Sequence, residues 1–225
     1  MTLAPAVRAA FASALLATVV PGSFTPARYR SGPAPPTAVR AVTGGEVLVE
    51  LDVDDRGSVA STSPLRVTPP FTDDVMAAVR AWTFTPATQK VKPDTRESAD
   101  AAVTPLRSKV LVAAIFRPPT IDTPTLGEPP KNVAVPSTEV AFPISIVPPA
   151  YPPNVLFDGT VLLECRVGAD GRLRDVTVLQ SAGPFDRPAI EAVRRWTFRP
   201  AAREGQPVDA FVYASLAFRQ PVTGR

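Results

Sequence analysis

An internal repeat constrains this chain more than any other feature. Displaced by 114 positions, Gly45 to Thr88 aligns with Gly159 to Ala202 without a gap, and 17 of the 44 pairs are identical, more than shared composition would yield. The identities include Val47/Val161, Val53/Val167, Gly57/Gly171, Phe71/Phe185, Val79/Val193 and the blocks Trp82-Thr83-Phe84 and Trp196-Thr197-Phe198. The alignment resumes at Val110 to Arg117 against Val212 to Arg219 with the offset reduced to 102, so the first copy holds twelve extra residues near Lys90 to Pro105. That insert is polar and reads as a loop. Whatever fold one copy takes, the other is expected to share.

Each copy opens with alternation: Val47, Val49, Leu51 and Val53 in the first, Val161, Leu163, Cys165 and Val167 in the second. A period of two predicts a half-buried strand, with Glu50 and Glu164 on its solvent side. Gly57 and Gly171 then stand where a hairpin turn needs positive φ. In the second copy a strand over Leu173 to Gln180 follows, and Leu173 falls out of phase with Val176 and Val178, which predicts a bulge near Arg174 or Asp175. The first copy is poorer here, because Pro64 cannot donate to a ladder, so this strand is expected at an edge or broken. Apolar residues at helical spacing come next, Val75, Met76, Val79, Trp82 and Ala189, Ile190, Val193, Trp196, with Thr72 and Asp186 in front as N-caps. A final strand closes each copy. The expected fold is α+β: two tandem β-β-α-β modules, each a three-stranded antiparallel sheet with one helix on one face.

The expected organisation is a signal-like segment over 1–27, a leader over 28–44, modules over 45–118 and 150–219, a proline-rich linker over 119–149 and a tail over 220–225. The linker holds Val140-Ala141-Phe142 and Ile144-Ser145-Ile146, either of which could pair onto a module edge. The apolar run Ala9 to Val20 spans about 18 Å as a helix, short of a bilayer's roughly 30 Å core, so secretion without a stable transmembrane span is expected. The 28 prolines among 225 residues mean that much of the chain is connector. A net charge of +3, from 24 basic and 21 acidic residues dispersed along the chain, argues against nucleic acid as a partner. With no histidine and one cysteine, the commonest general base, the commonest metal ligand and an internal disulfide are all missing, so no enzyme activity, metal or cofactor is expected.

The second copy contains Tyr151-Pro152, Gly159-Thr160-Val161, Asp170-Gly171, Val176, Ser181, Ala189-Ile190-Glu191-Ala192-Val193, Trp196-Thr197-Phe198, Pro200-Ala201 and Gly205-Gln206-Pro207-Val208. In these motifs it resembles the C-terminal domain of TonB-family energy transducers. The first copy keeps Gly45, Gly57, Trp82, Phe84, Pro86 and Ala87 but has Thr37 and Ala38 in place of the Tyr-Pro pair, and looks like a diverged relative. The resemblance implies a periplasmic module that captures an extended segment of an outer-membrane transporter, or of another envelope protein, by strand addition to an unpaired final strand. On that basis the partner-binding residues are Phe211, Val212, Tyr213, Ala214, Ser215, Leu216, Ala217, Phe218 and Arg219, flanked by Tyr151 and Pro152. The duplication suggests two binding edges, pairing of the two sheets within one chain, or a homodimer. The alternative is a structural cell-envelope or peptidoglycan-associated protein without a transporter partner.

Other candidates read as structure. Trp82 and Trp196 end apolar stripes and are expected to anchor the core, and Cys165 at an inward strand position reads as a buried apolar residue. Asp52, Asp54, Asp55 and Gly57 have a faint calcium-loop spacing, but Arg56 and Ser63 occupy ligand positions, which favours a hairpin turn. Asp73 and Asp74 suit a helix N-terminus. Arg194, Arg195, Arg199 and Arg203 form either a solvated helix end or a place for an acidic peptide or cell-wall carboxylate.

Overall fold

The computed structural model describes residues 18–36, 43–92, 102–119 and 128–221. The signal-like segment lies outside them up to residue 17, as does residues 93–101 of the insert. The first half contains strands β1 (Thr18–Thr25), β2 (Arg28–Ser31), β3 (Gly45–Val53) and β4 (Val59–Val67), helix α1 (Phe71–Arg80), then β5 (Thr83–Thr85), β6 (Ala87–Lys92), β7 (Ala102–Leu106) and β8 (Ser108–Phe116). Two short strands lie in the expected linker, β9 (Lys131–Asn132) and β10 (Phe142–Ser145). The second half contains β11 (Gly159–Val167), β12 (Leu173–Gln180), helix α2 (Asp186–Val193), β13 (Thr197–Arg199), β14 (Ala201–Arg203), β15 (Gln206–Val208) and β16 (Ala210–Phe218).

The halves do not form two separate three-stranded sheets. They share one seven-stranded sheet in the order β12-β11-β16-β8-β3-β4-β9, joined at its centre where β16 runs parallel to β8, with Val212 opposite Leu111 and Ala217 opposite Phe116. Two equivalent strands that pair in parallel are related by rotation about an axis along them, which places the two helices on opposite faces. The cores agree. Phe71, Val75 and Val79 pack on Val47, Val49, Val110 and Val112, whereas Phe185, Ala189 and Val193 pack on Val161, Leu163, Val212 and Ala214 from the other side.

This arrangement overturns the half-buried strands expected from alternation. Leu48, Leu111 and Ile115 of the first half are buried in the α2 core, and Leu162, Tyr213 and Ala217 of the second half in the α1 core. Fully burying a side chain such as leucine contributes about 1.5–3 kcal/mol, so these second-face residues favour the joined sheet over two free ones. Both hairpins carry matching bulges. In each ladder one residue is skipped near the turn, Ala60 or Arg174, and one near the far end, Leu65 or Leu179. The bulge turns Leu65 into the α2 core and Leu179 against the α1 core, so each second strand reaches across to the other half. Strand β4 is unbroken despite Pro64, which sits opposite Val49 beside the bulged Leu65.

The leader and linker are also built into the fold. β2 pairs with β5 (Tyr29 opposite Phe84) and β10 with β13 (Pro143 opposite Phe198), the same register at the same 114-residue displacement. The indole N–H of Trp82 donates to Pro33 O (2.8 Å) and that of Trp196 to Val147 O (3.0 Å), again 114 residues apart. The expected N-caps act differently. Both helices begin at or before Thr72 and Asp186, whose side chains reach back to accept the N–H of Thr68 (3.0 Å) and of Ala182 (2.8 Å). At Gly57, φ is 86° and an added Cβ would lie 1.9 Å from Phe84 O, which shows why glycine recurs ahead of each Trp-Thr-Phe block.

Candidate functional site

The nine residues expected to form a docking edge lie at or beside the middle of the sheet. β16 is hydrogen-bonded to β11 on one side and β8 on the other, and Val212 to Phe218 are all buried, while Phe211 and Arg219 are half-buried. The bare final strand does not exist in this arrangement, because the equivalent strand of the first half completes it. Tyr151 and Pro152 are half-buried near its end. The Tyr151 hydroxyl donates to Phe157 O (2.8 Å), its ring meets Phe185 edge-on (5.6 Å), and Arg117 sits over it (5.5 Å). Burial raises the Tyr151 pKa and lowers that of Arg117.

The free edges are elsewhere. Among the described residues β12 has β11 as its one hydrogen-bonded neighbour strand along Leu173–Gln180. Its outer side is partly blunted, since the Asp175 carboxylate accepts the N–H of Val176 (2.9 Å) and Arg174, Asp175 and Thr177 are exposed. At the opposite end of the sheet β4 is covered at Arg66 and Val67 by β9, and Val133 N–H donates to Leu65 O (2.9 Å).

Glu50 and Glu164, identical positions of the repeat expected on the solvent side, are both buried, and each fastens a leading segment of the other half. The Glu164 carboxylate accepts Arg28 Nε (3.0 Å) and Nη2 (2.9 Å) and the Tyr213 hydroxyl (3.3 Å), while that hydroxyl accepts Tyr29 N–H (2.7 Å). The Glu50 carboxylate accepts Lys109 Nζ (2.6 Å) and the N–H of Ser137 (2.9 Å). The hydrogen bonds and charges of these carboxylates raise the pKa of Arg28 and of Lys109. Burial raises the pKa of Tyr213 and of the Cys165 thiol well above their ordinary values, so neither ionises at neutral pH.

A groove of about 1270 Å³ opens between the halves. It is lined by the end of β1 with Arg28, by Thr85, Pro86, Thr88 and Gln89, by Arg166 and Ala169, and by the β14–β15 hairpin with Asp209 and Phe211. Arg166 pairs with Asp209 (2.8 Å), and Arg203 lies over the Phe24 ring (5.2 Å) with Glu139 at 3.7 Å. The arginine cluster noted in sequence is thus divided: Arg194 and Arg195 are exposed at the helix end, Arg199 donates to Ser137 O (2.7 Å), and Arg203 enters the groove. Sequence reasoning missed the groove because its lining comes from four distant segments. Among the described residues no group of three or more His, Cys, Asp and Glu could hold a metal ion, and no helix is long and apolar enough to cross a membrane.

Residues 148–219 match the family model described as the Gram-negative bacterial TonB protein C-terminal. The chain is also similar to Protein tonB2 of Pseudomonas aeruginosa, 36% identical over 76 residues, which are 32% of this chain and 28% of that protein. The match thus spans well under half of either protein, and it is the second half of this chain, from Pro148 to Arg219, that carries the likeness to a TonB C-terminal domain.

Proposed function

We propose that this chain is a periplasmic TonB-like interaction protein, built by tandem duplication of a β-β-α-β unit, that binds an extended segment of an outer-membrane transporter or other envelope protein by strand addition in energy-dependent transport. The family match over residues 148–219 supports the TonB-like role. The observation that carries strand addition is the β12 edge, Leu173–Gln180, which has one neighbour among the described residues and is as long as a bound peptide strand needs. Binding at Phe211–Arg219 would instead require β8 to leave β16, with exposure of Leu111 and Ile115, so β12 is the better site. To test this, the isotope-labelled full chain is titrated with peptides carrying the transporter segment that TonB proteins recognise. The amides of Leu173–Gln180 are expected to shift, and Asp175→Ala, which frees the Val176 N–H, to tighten binding. Shifts at Phe211–Phe218 would restore the original edge, and no shift with any such peptide would remove the function.

The self-completed β8–β16 pairing favours a second reading, an architectural envelope or peptidoglycan-associated protein. Retention of the full chain on purified cell wall would support it, since strand addition to a transporter predicts little.

A further inference from the structure

We propose that the groove between the halves is a second docking site, for an extended peptide segment that carries acidic residues beside aromatic or proline residues. This is independent of strand addition at β12.

The lining is mixed in a way that selects such a ligand. Phe24, Pro26, Pro86, Pro207 and Phe211 supply rigid apolar surface that loses little entropy on contact. Three guanidinium groups, Arg28, Arg166 and Arg203, face two carboxylates, Glu204 and Asp209. Asp209 is already held by Arg166 and by the N–H of Ala169 (3.1 Å). The carboxylate that pairs with Arg28 lies beneath it: the Glu164 side chain is 3% exposed and that of Arg28 60%, so a ligand meets the guanidinium and not its counter-ion. The Arg203 side chain is 23% exposed, and its carboxylate contact is the long 3.7 Å to Glu139. A ligand carboxylate at its exposed part would form a shorter, charge-assisted bond. The groove is also lined by β15, whose single hydrogen-bonded neighbour among the described residues is β14, and an edge strand suits an extended backbone. The site needs both halves, because Phe24, Arg28 and Pro86 come from the first and Arg166, Arg203 and Phe211 from the second.

The probe is the fluorescein-labelled peptide acetyl-Glu-Pro-Phe-Glu-Pro-Phe-amide, with a counterpart bearing lysine for glutamate, titrated into the full chain by fluorescence anisotropy. The acidic probe is expected to bind saturably and at least about tenfold more tightly than the lysine probe, with the difference shrinking in high salt. Arg203→Gln should weaken it about tenfold. Glu204→Lys, at the exposed hairpin turn and away from the core, should strengthen it about threefold and keeps the test open if the Arg203 variant does not fold. Amide shifts are expected at Phe24, Gln89 and Phe211. Equal affinity for both probes, no saturable binding, an unchanged affinity in both variants, or shifts confined to Leu173–Gln180 would each overturn the groove, and the last would do so while leaving strand addition at β12 intact.

Discussion

Arg28→Ala and Glu164→Gln break the same ion pair, yet they should differ in cost. The Glu164 side chain is 3% exposed, and without Arg28 its carboxylate keeps the Tyr213 hydroxyl at 3.3 Å as its one side-chain donor among the described residues. Stranding a buried charge in this way costs about 3–5 kcal/mol, and loss of the guanidinium admits water, so about 3 kcal/mol is expected. In Glu164→Gln the remaining charge is Arg28, more than half exposed, which rehydrates where it stands. The amide still accepts a hydrogen bond, and a loss of about 1–1.5 kcal/mol follows. For a chain of this size each kcal/mol lowers Tm by about 2–4 °C, so Arg28→Ala should fall by about 6–12 °C and Glu164→Gln by about 2–6 °C. The double variant should resemble Glu164→Gln alone, since no charge is left buried. Urea and thermal unfolding followed by circular dichroism would measure all three. If Arg28→Ala is no more costly than Glu164→Gln, Glu164 is not held as a buried carboxylate by Arg28 and the reasoning fails.

Stability should be flat through neutral pH and fall in alkali. The raised pKa values of Cys165, Tyr213 and Lys109 contribute stability that is fully present below their unfolded values, about 8.5, 10 and 10.4, and is lost as pH rises above each. Urea midpoints at pH 7, 9 and 10.5 would show the decline, and Cys165→Ala should remove its earliest part. The Cys165 thiol should resist iodoacetamide in the native protein at pH 8 and react once urea unfolds it, as mass spectrometry would record. Gly57→Ala should destabilise by about 3 kcal/mol or more, because the methyl group meets Phe84 O, whereas Gly183→Ala, with φ of 62° and nothing within 4 Å, should cost about 1 kcal/mol. Trp82→Phe and Trp196→Phe each remove the indole bond to a carbonyl, Pro33 O or Val147 O, and should cost a similar amount, about 0.5–1.5 kcal/mol beyond the lost packing, in chemical unfolding.

Much of the secondary structure could be read along the chain, since alternation, helical spacing and the turn glycines are local signals with local causes. The bulge at Arg174 was legible for the same reason, from one leucine out of phase. A pairing segment near Phe142–Ser145 was legible from its apolar residues, but β2 was not, nor the equivalence of β2 and β10, because Arg28–Ser31 and Phe142–Ser145 share one identity, Ser31/Ser145, and their equivalence lies in backbone pairing with β5 and β13. Glu50 and Glu164 read as solvent-facing because period two marks two faces without saying what covers the second.

The amino-acid order by itself determined the inward faces of β3 and β11, the Trp anchors and the turn positions, because each depends on residues within a few turns of chain. Only the tertiary structure decided that β8 and β16 lie side by side in parallel. An apolar strand end such as Leu111-Val112-Ala113-Ala114-Ile115 can be satisfied by any backbone that brings a matching apolar face, whether a visiting peptide, a second chain or the sister strand. Here the sister strand is tethered to it and already shaped to fit, so it takes the place, and in doing so it buries both glutamates, opens the groove and moves the free edge to β12.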